Sequence, residues 1–125
     1  MEEKDLIQGK DLAIAAACLA IDNKAKDLTV LDLKGISSIA DYFVICTGDS
    51  IPHLRAISRE IVKSIIVDYN VWATKVHVFF DFFFFFLDYI DVVEHVFHKD
   101  LRPNYALEDL WSDAALVSFE HDLNN

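Results

Sequence analysis

Two histidines near the end of the chain invite a metal-binding interpretation. His95 and His98 lie close in sequence to Asp91 and Asp100, and imidazole and carboxylate groups are common metal ligands. In a strand, however, side chains alternate between two faces, so a separation of three positions sends the two imidazoles to opposite faces. We therefore predict structural or interface roles for both histidines and no metal site.

A second candidate is Gly48-Asp49-Ser50, which precedes a predicted helix. Backbone N–H groups at a helix N-terminus can hold a phosphate. Asp49, however, places a negative charge where the phosphate would lie. Ser50 is also a favoured N-cap residue, and Pro52 suits the first helical turn. These residues predict a helix cap rather than a nucleotide site.

Asp88 and Asp91 flank a short turn and form the third candidate. Two neighbouring carboxyl groups can serve as a general acid and base. Aspartate is equally suited to satisfying the backbone N–H groups of a turn. Both interpretations remain open at this level.

The composition limits the class of protein. A chain of 125 residues, with 54% hydrophobic and 26% charged residues, predicts one domain over residues 1–125 with one core. Its formal charge of -10, from 21 acidic against 11 basic residues, repels a phosphate backbone. We expect no direct binding of nucleic acid and a better match to a basic protein partner.

The longest apolar run near the start of the chain spans residues 12–21. It is too short to cross a membrane, and it follows acidic residues rather than the basic segment of a signal peptide. The sequence therefore predicts a cytoplasmic protein that does not enter a membrane.

The hydrophobic pattern predicts alternating helices and strands. Helices are predicted over residues 3–23, after Ser50, and from Pro103 onward. Strands are predicted over residues 28–33, 42–46, 71–78, 82–89 and 91–98. The order α-β-β-α-β-β-β-α indicates an α/β (α+β) protein with a mixed sheet of about five strands flanked by helices.

One segment has an unusual composition. Residues 78–87 contain seven of the ten phenylalanines. The segment predicts a strand in the centre of the sheet and a hazard of aggregation if it is exposed. If one of its strands lies at the sheet edge, its unpaired backbone groups could join two copies of the chain.

Two stretches resemble the ribosomal silencing factor (Iojap) family. The first runs from Asp32 to Gly48, DLKGISSIADYFVICTG, and continues to Ser50 and His53. The second comprises Asp91-Val-Val and His95-Val-Phe-His98, followed by Arg102, Tyr105, Leu107, Glu108, Leu110 and Trp111. With the first helix, these motifs cover most of the chain in the order and spacing of the family.

The resemblance implies a nucleotidyltransferase-like fold without the chemistry of those enzymes. Family members are similar in binding ribosomal protein fourteen of the large subunit, which keeps the small subunit from joining and represses translation under nutrient limitation. This mechanism implies no catalytic residue, no cofactor and no metal ion.

The resemblance also implies partner-binding residues. Two differences from the family pattern bear on them: Phe84 replaces a tryptophan, and Ile90 replaces a turn glycine whose backbone angles a β-branched residue resists. Core packing is an alternative for Tyr89, and a solvated helix face is an alternative for Arg102. The predicted partner-binding set is Phe84, Asp88, Tyr89, Asp91, His98, Arg102 and Tyr105.

Two other functional classes remain in view. A nucleotidyltransferase-like enzyme would use Gly48, Ser50, Asp88 and Asp91. A homodimerisation module would instead use an exposed strand from the Phe-rich segment.

Overall fold

Six strands form one mixed sheet in the computed structural model, which describes residues 7–104 and 114–121. The helices are α1 (Gly9–Asp22) and α2 (Ile51–Tyr69). The strands are β1 (Lys26–Asp32), β2 (Tyr42–Gly48), β3 (Lys75–Phe79), β4 (Phe84–Asp88), β5 (Val92–His98) and β6 (Ala115–Leu116); a 3-10 turn covers Arg102–Asn104. Neither helix in the described part of the chain is long and apolar enough to cross a membrane.

The strand order across the sheet is β3-β4-β5-β2-β1-β6. β2 and β5 are parallel, and the other neighbouring strands are antiparallel. The predicted mixed sheet flanked by helices is confirmed, with β6 as an additional strand. The helix predicted from Pro103 falls largely on residues 105–113, which lie outside the described residues.

Both helices cover the same face of the sheet. In α1, alanines on the buried side allow a close approach to the strands, as the fully buried Ala13 and Ala17 show. In α2, apolar residues recur at helical spacing, and four of them are fully buried. These four residues are Leu54, Ile57, Ile61 and Ile65, and they join Val44, Cys46, Leu87 and Val96 in one core.

The start of α2 depends on close packing and on a cap. A Cβ atom at Gly48 would lie 2.6 Å from Cδ1 of Leu54, which explains the glycine at this position. The Ser50 hydroxyl accepts a hydrogen bond from the backbone N–H of His53 at 3.2 Å, and Pro52 lies in the first turn. The predicted helix cap is confirmed. Asp49 forms an ion pair with Lys26 at 3.2 Å, and this lowers the pKa of Asp49.

The other face of the sheet carries no helix among residues 7–104 and 114–121. Near β1, β2 and β5, the segment between β1 and β2 helps to cover a smaller core. This core consists of Leu31, Leu33, Ala40, Phe43, Ile45, Val93 and Phe97. No element of the described residues covers the same face of β3 and β4.

The Phe-rich segment forms β4, most of the turn before it and the end of β3. β4 lies inside the sheet, whereas β3 is an edge strand. The turn places Phe80, Asp81 and Phe82 at φ angles of 55°, 56° and 74°. Ile90 has φ 78°, so the expected conflict between a β-branched residue and a glycine-type turn is confirmed. Left-handed backbone costs roughly 1–2 kcal/mol at a non-glycine residue.

Candidate protein-binding face of the sheet

The open face of β3, β4 and β5 carries a continuous aromatic surface. The register between the strands explains why these rings lie together. Phe79 pairs with Phe84, and Phe84 pairs with Phe97, so alternate residues of the three strands point to the same side of the sheet. Together they line a cavity of about 490 Å³. We call this surface the aromatic face; it consists of Lys75, His77, Phe79, Phe84, Phe86, Asp88, His95 and Phe97.

Phe84 occupies the centre of the aromatic face. Its ring stacks on Phe97 with centroids 4.4 Å apart and planes 4° from parallel. On the opposite side, the Phe79 ring lies 5.6 Å away. Phe86 approaches Phe84 edge-on at 6.3 Å. The rings therefore contact one another and form a continuous apolar surface.

His95 forms the base of the aromatic face. Its ring packs 4.5 Å from Phe43 and 5.5 Å from Phe86. Burial lowers the pKa of His95 to about 4, so the imidazole is neutral at pH 7. Its Nδ1 atom is buried without a hydrogen-bond partner in the described part of the chain. A neutral ring suits an apolar contact surface.

Glu94, the next residue along β5, points to the helix-covered face. It is 0% exposed, and its Oε2 atom accepts a hydrogen bond from the Cys46 thiol at 3.4 Å. Burial raises the pKa of Glu94 well above its usual value. Burial and the nearby Glu94 also raise the pKa of Tyr89. On this side of β5, burial therefore favours the protonated form of both Glu94 and Tyr89.

Two of the predicted partner-binding residues lie on the aromatic face, namely Phe84 and Asp88. Asp88 also accepts a hydrogen bond from the Ile90 backbone N–H at 2.8 Å. Asp91 accepts one from the Gly9 N–H at the start of α1, at 2.6 Å. Both carboxylates therefore satisfy backbone groups, as one of the two interpretations predicts.

The prediction that Tyr89 faces a partner does not match its position. Tyr89 is 5% exposed, and its hydroxyl group is buried in the helix-side core. The residue follows β4, where side chains alternate between faces, so it points away from the side that Asp88 occupies. Core packing, the alternative, describes Tyr89 better.

His98 and Arg102 lie at the far end of β5 from Asp88 and Asp91. The His98 ring stacks on Phe83 at 4.1 Å, and its Nδ1 accepts a hydrogen bond from the Asp100 N–H. Arg102 donates to the backbone carbonyl of Asp27 and to the hydroxyl of Thr47, each at 2.8 Å. Arg102 therefore joins the segment after β5 to β1 and β2, and a solvated helix face does not describe it. Tyr105 lies outside the described residues.

The two histidines point to opposite faces of β5, as the spacing predicts. His95 belongs to the aromatic face, whereas His98 is stacked on Phe83 and does not line that face. Within residues 7–104 and 114–121, no group of three or more His, Cys, Asp or Glu side chains is placed to hold a metal ion.

The four residues of the enzyme alternative do not converge. Gly48 pairs with His98 at the carboxyl ends of β2 and β5, and Ser50 follows at once. Asp88 and Asp91 lie instead near Val92, at the amino end of β5. Seven residues of strand separate these ends, which corresponds to roughly 20 Å. The two pairs therefore cannot act on the same atoms.

Sequence reasoning missed most of the aromatic face. Lys75, His77, Phe79, Phe86 and Phe97 were not singled out as partner-binding residues. Their signal is the period-two alternation in three strands, which becomes visible only when the strands are aligned. The register between these strands depends on the turns that join them and on packing, which the sequence of a single strand does not show.

The described residues form an α/β domain with helices on one side of its sheet and an aromatic surface on the other, and such a surface is suited to protein binding. The relatives of the chain specify the family. The sequence profile of the family described as "Ribosomal silencing factor during starvation" matches residues 7–125. The chain belongs to the ribosomal silencing factor family.

Individual relatives agree with this assignment. Ribosomal silencing factor RsfS of Bacillus subtilis strain 168 is 41% identical over 115 residues, which cover 92% of this chain and 97% of the relative. RsfS of Halalkalibacterium halodurans is 38% identical over 120 residues, covering 96% and 97% of the two chains.

Two solved structures are similar in fold. A crystal structure from Bacillus halodurans has a TM-score of 0.75 and 33% identity, and the match covers 89% of this chain and 100% of the other. A crystal structure from Chromobacterium violaceum has a TM-score of 0.78 at 23% identity, covering 95% and 98%. The second match supports the fold alone.

Proposed function

We propose that this protein silences ribosomes by binding the large subunit in the cytoplasm and blocking the small subunit sterically. The proposed partner is ribosomal protein fourteen, and the proposed consequence is repression of translation when nutrients are limiting. Membership of a family described as acting during starvation supports the physiological part of this proposal.

The aromatic face is the observation that carries the proposal. Phe79 is 43% exposed and Phe84 is only partly buried, although both belong to a layer of stacked rings. Ordered aromatic side chains around a concave surface are typical of the residues that dominate binding energy at protein interfaces. We therefore place the ribosomal contact on this face.

Charge supports a basic partner. The chain carries a formal charge of -10, and Asp88 contributes a carboxylate to the aromatic face. Complementary potentials accelerate association and discriminate against wrong partners. An acidic protein with an apolar contact surface is suited to a basic ribosomal protein with an exposed apolar patch.

Steric silencing requires only a contact surface of sufficient area and enough bulk to exclude the other subunit. A standard interface buries about 800 Å² on each partner, and the helices, which cover the opposite side of the sheet, remain free to project toward the subunit that is excluded. No bond is made or broken, so the mechanism needs no catalytic group.

Co-sedimentation with separated ribosomal subunits tests the proposal. We expect stoichiometric binding to the large subunit alone, and loss of the joined-subunit peak when the subunits are mixed on a sucrose gradient. Phe84→Ala should weaken binding by roughly 30-fold, since a central aromatic residue contributes about 2 kcal/mol. Val67→Ala is the matched control, because Val67 is an apolar residue on α2 that is 72% exposed and lies away from the aromatic face.

Thermal unfolding of both variants would establish that they remain folded. If folded Phe84→Ala protein bound the large subunit as tightly as Val67→Ala protein, the aromatic face would not be the contact. If the wild-type protein bound the small subunit instead, or left subunit joining unchanged, the silencing proposal itself would be wrong.

Homodimerisation is a second candidate, favoured by the exposed edge strand β3. Val76 is 50% exposed and Val78 is 41% exposed, and β4 is the strand that pairs with β3 in the described sheet. An apolar edge of this kind can pair with a second copy. Sedimentation equilibrium over a range of concentrations tests this, and a mass that stays monomeric throughout would remove the candidate.

A further inference from the structure

A second concave surface lies on the helix-covered side of the sheet, between α2 and the outer strands. It has a volume of about 320 Å³, near the lower end of the usual range for small-molecule sites. We call it the helix-side groove; it is lined by Arg55, Ser58, Arg59, Val62, Val76, Phe85 and Leu87. None of these residues belongs to the aromatic face.

The groove combines an apolar floor with a polar wall. Phe85 and Leu87 of β4 are buried beneath it, and Val76 of β3 borders it. The α2 residues that line it recur at positions i, i+3, i+4 and i+7 from Arg55, which is the spacing of one helix face. Apolar contacts and positive charge are therefore presented along one line.

The two arginines lack acidic partners. In the part of the chain that the structure describes, neither Arg55 nor Arg59 forms an ion pair with a carboxylate. This is notable in a chain with 21 acidic and 11 basic residues. The Arg55 guanidinium lies 4.7 Å from the centroid of the Phe82 ring. A cation–π contact of this kind does not use the N–H groups of the arginine as hydrogen-bond donors, so they can still bind an anion.

Ser58 provides independent evidence for a ligand. It lies on the same helix face as the two arginines and is 5% exposed, yet its hydroxyl has no hydrogen-bond partner among residues 7–104 and 114–121. A buried hydroxyl without a partner is unfavourable, because it has lost its hydrogen bonds to water without replacing them. An anionic oxygen in the groove would accept a hydrogen bond from it.

We propose that the helix-side groove binds a small organic anion with an apolar body, namely an alkyl or aryl carboxylate. The carboxylate pairs with Arg55 and Arg59 and accepts a hydrogen bond from Ser58. The apolar body lies on Val62, Val76, Phe85 and Leu87. This site is independent of ribosome binding, since it lies on the opposite face of the sheet.

Titration with monomeric decanoate, followed by amide chemical shifts of the ¹⁵N-labelled full chain, tests the proposal. We expect saturable shifts in residues 55–62 and at positions 76, 85 and 87. Decyltrimethylammonium has the same apolar chain with the opposite charge, and we expect no saturable binding from it.

Three variants sharpen the test. Arg59→Gln should weaken decanoate binding by about tenfold, because it removes a charge-assisted hydrogen bond. Lys63→Gln removes the same charge one helical turn further along α2, outside the groove, and should change the affinity by less than about twofold. Ser58→Ala should weaken binding by roughly fivefold, the effect of one neutral hydrogen bond.

Several results would overturn the proposal. Equal binding of decyltrimethylammonium would show that the groove is an apolar surface that does not select for negative charge. Shifts centred on Phe84 and Phe86 would assign decanoate to the aromatic face. Equal affinities of folded Arg59→Gln and Lys63→Gln proteins, or no saturation below about 1 mM, would each remove the site.

Discussion

Glu94 and His95 are consecutive residues of β5 that lie in two different environments. Glu94 is enclosed beneath α1 and α2, where burial raises the pKa of its carboxyl group and the Cys46 thiol donates a hydrogen bond to it. His95 lies under an aromatic layer that no described helix covers. Both are buried, but among the described residues the helices cover the Glu94 side alone. The two faces of one sheet thus separate a surface built for folding from a surface available for contact.

The same contrast appears in the apolar residues. On the helix side, Ile57 and Ile61 are fully buried and fill space between layers. On the aromatic face, Phe79 and Phe86 are held chiefly by ring contacts and keep part of their area exposed. Truncation of a side chain should therefore affect stability on one face and binding on the other.

The largest expected effect is on stability, from Ile61→Ala. This substitution leaves a cavity between α2 and the sheet and should lower the free energy of unfolding by about 3 kcal/mol. Phe79→Ala, on the partly exposed aromatic face, should lower it by less than about 1.5 kcal/mol because less area is buried. Urea denaturation of both variants measures the difference. Equal losses would show that the two faces contribute equally to the core.

The main features of the helix-covered face were predictable from the sequence. The apolar stripe of α2 has the helical period, and the cap at Ser50 has a recognisable local pattern. The central strand β2 is a continuous apolar run because both of its faces are buried. In each case neighbours in sequence carry the signal.

Other features were harder to predict because they depend on contacts between residues that are far apart in sequence. β6 contains two residues, Ala115 and Leu116, and pairs with β1 from far along the chain, which leaves no periodicity to detect. The predicted start of β3 at Val71 was early, since the strand begins at Lys75. Likewise, the contact of Arg102 with Thr47 joins residues that no local pattern connects.

A smaller effect is expected from Glu94→Gln, which should change how the free energy of unfolding depends on pH. The raised pKa of Glu94 in the folded state means that, above its ordinary value of 4.5, the folded protein keeps a proton that the unfolded chain loses. Stability therefore falls as the pH rises, by up to about 1.4 kcal/mol per pH unit, until the folded-state pKa is reached. Glutamine has the same shape without the proton, so this slope should vanish in the variant.

His95 acts in the opposite direction and makes the test sharper. Its folded-state pKa of about 4 lies below the ordinary 6.5, so stability rises with pH between these values and is then constant. In the wild-type protein the two residues offset one another over this window. Subtracting the urea-unfolding curves of wild type and Glu94→Gln at each pH isolates the Glu94 contribution. A pH-independent difference would mean that Glu94 is ionised in the fold.

The smallest effect concerns the turn that leads from the aromatic face into β5. Ile90 adopts φ 78° and is 68% exposed, so its side chain gains little from packing while its backbone is strained. Ile90→Gly should stabilise the protein by about 0.5–1 kcal/mol, because the relief of backbone strain exceeds the extra entropy that glycine gives the unfolded chain.

Ile39 is a matched control, because it is 66% exposed and is not among the residues with positive φ. Ile39→Gly should destabilise the protein by roughly 0.5–1 kcal/mol. Urea denaturation distinguishes the two signs, and equal losses at both positions would show that the turn at Ile90 stores no strain.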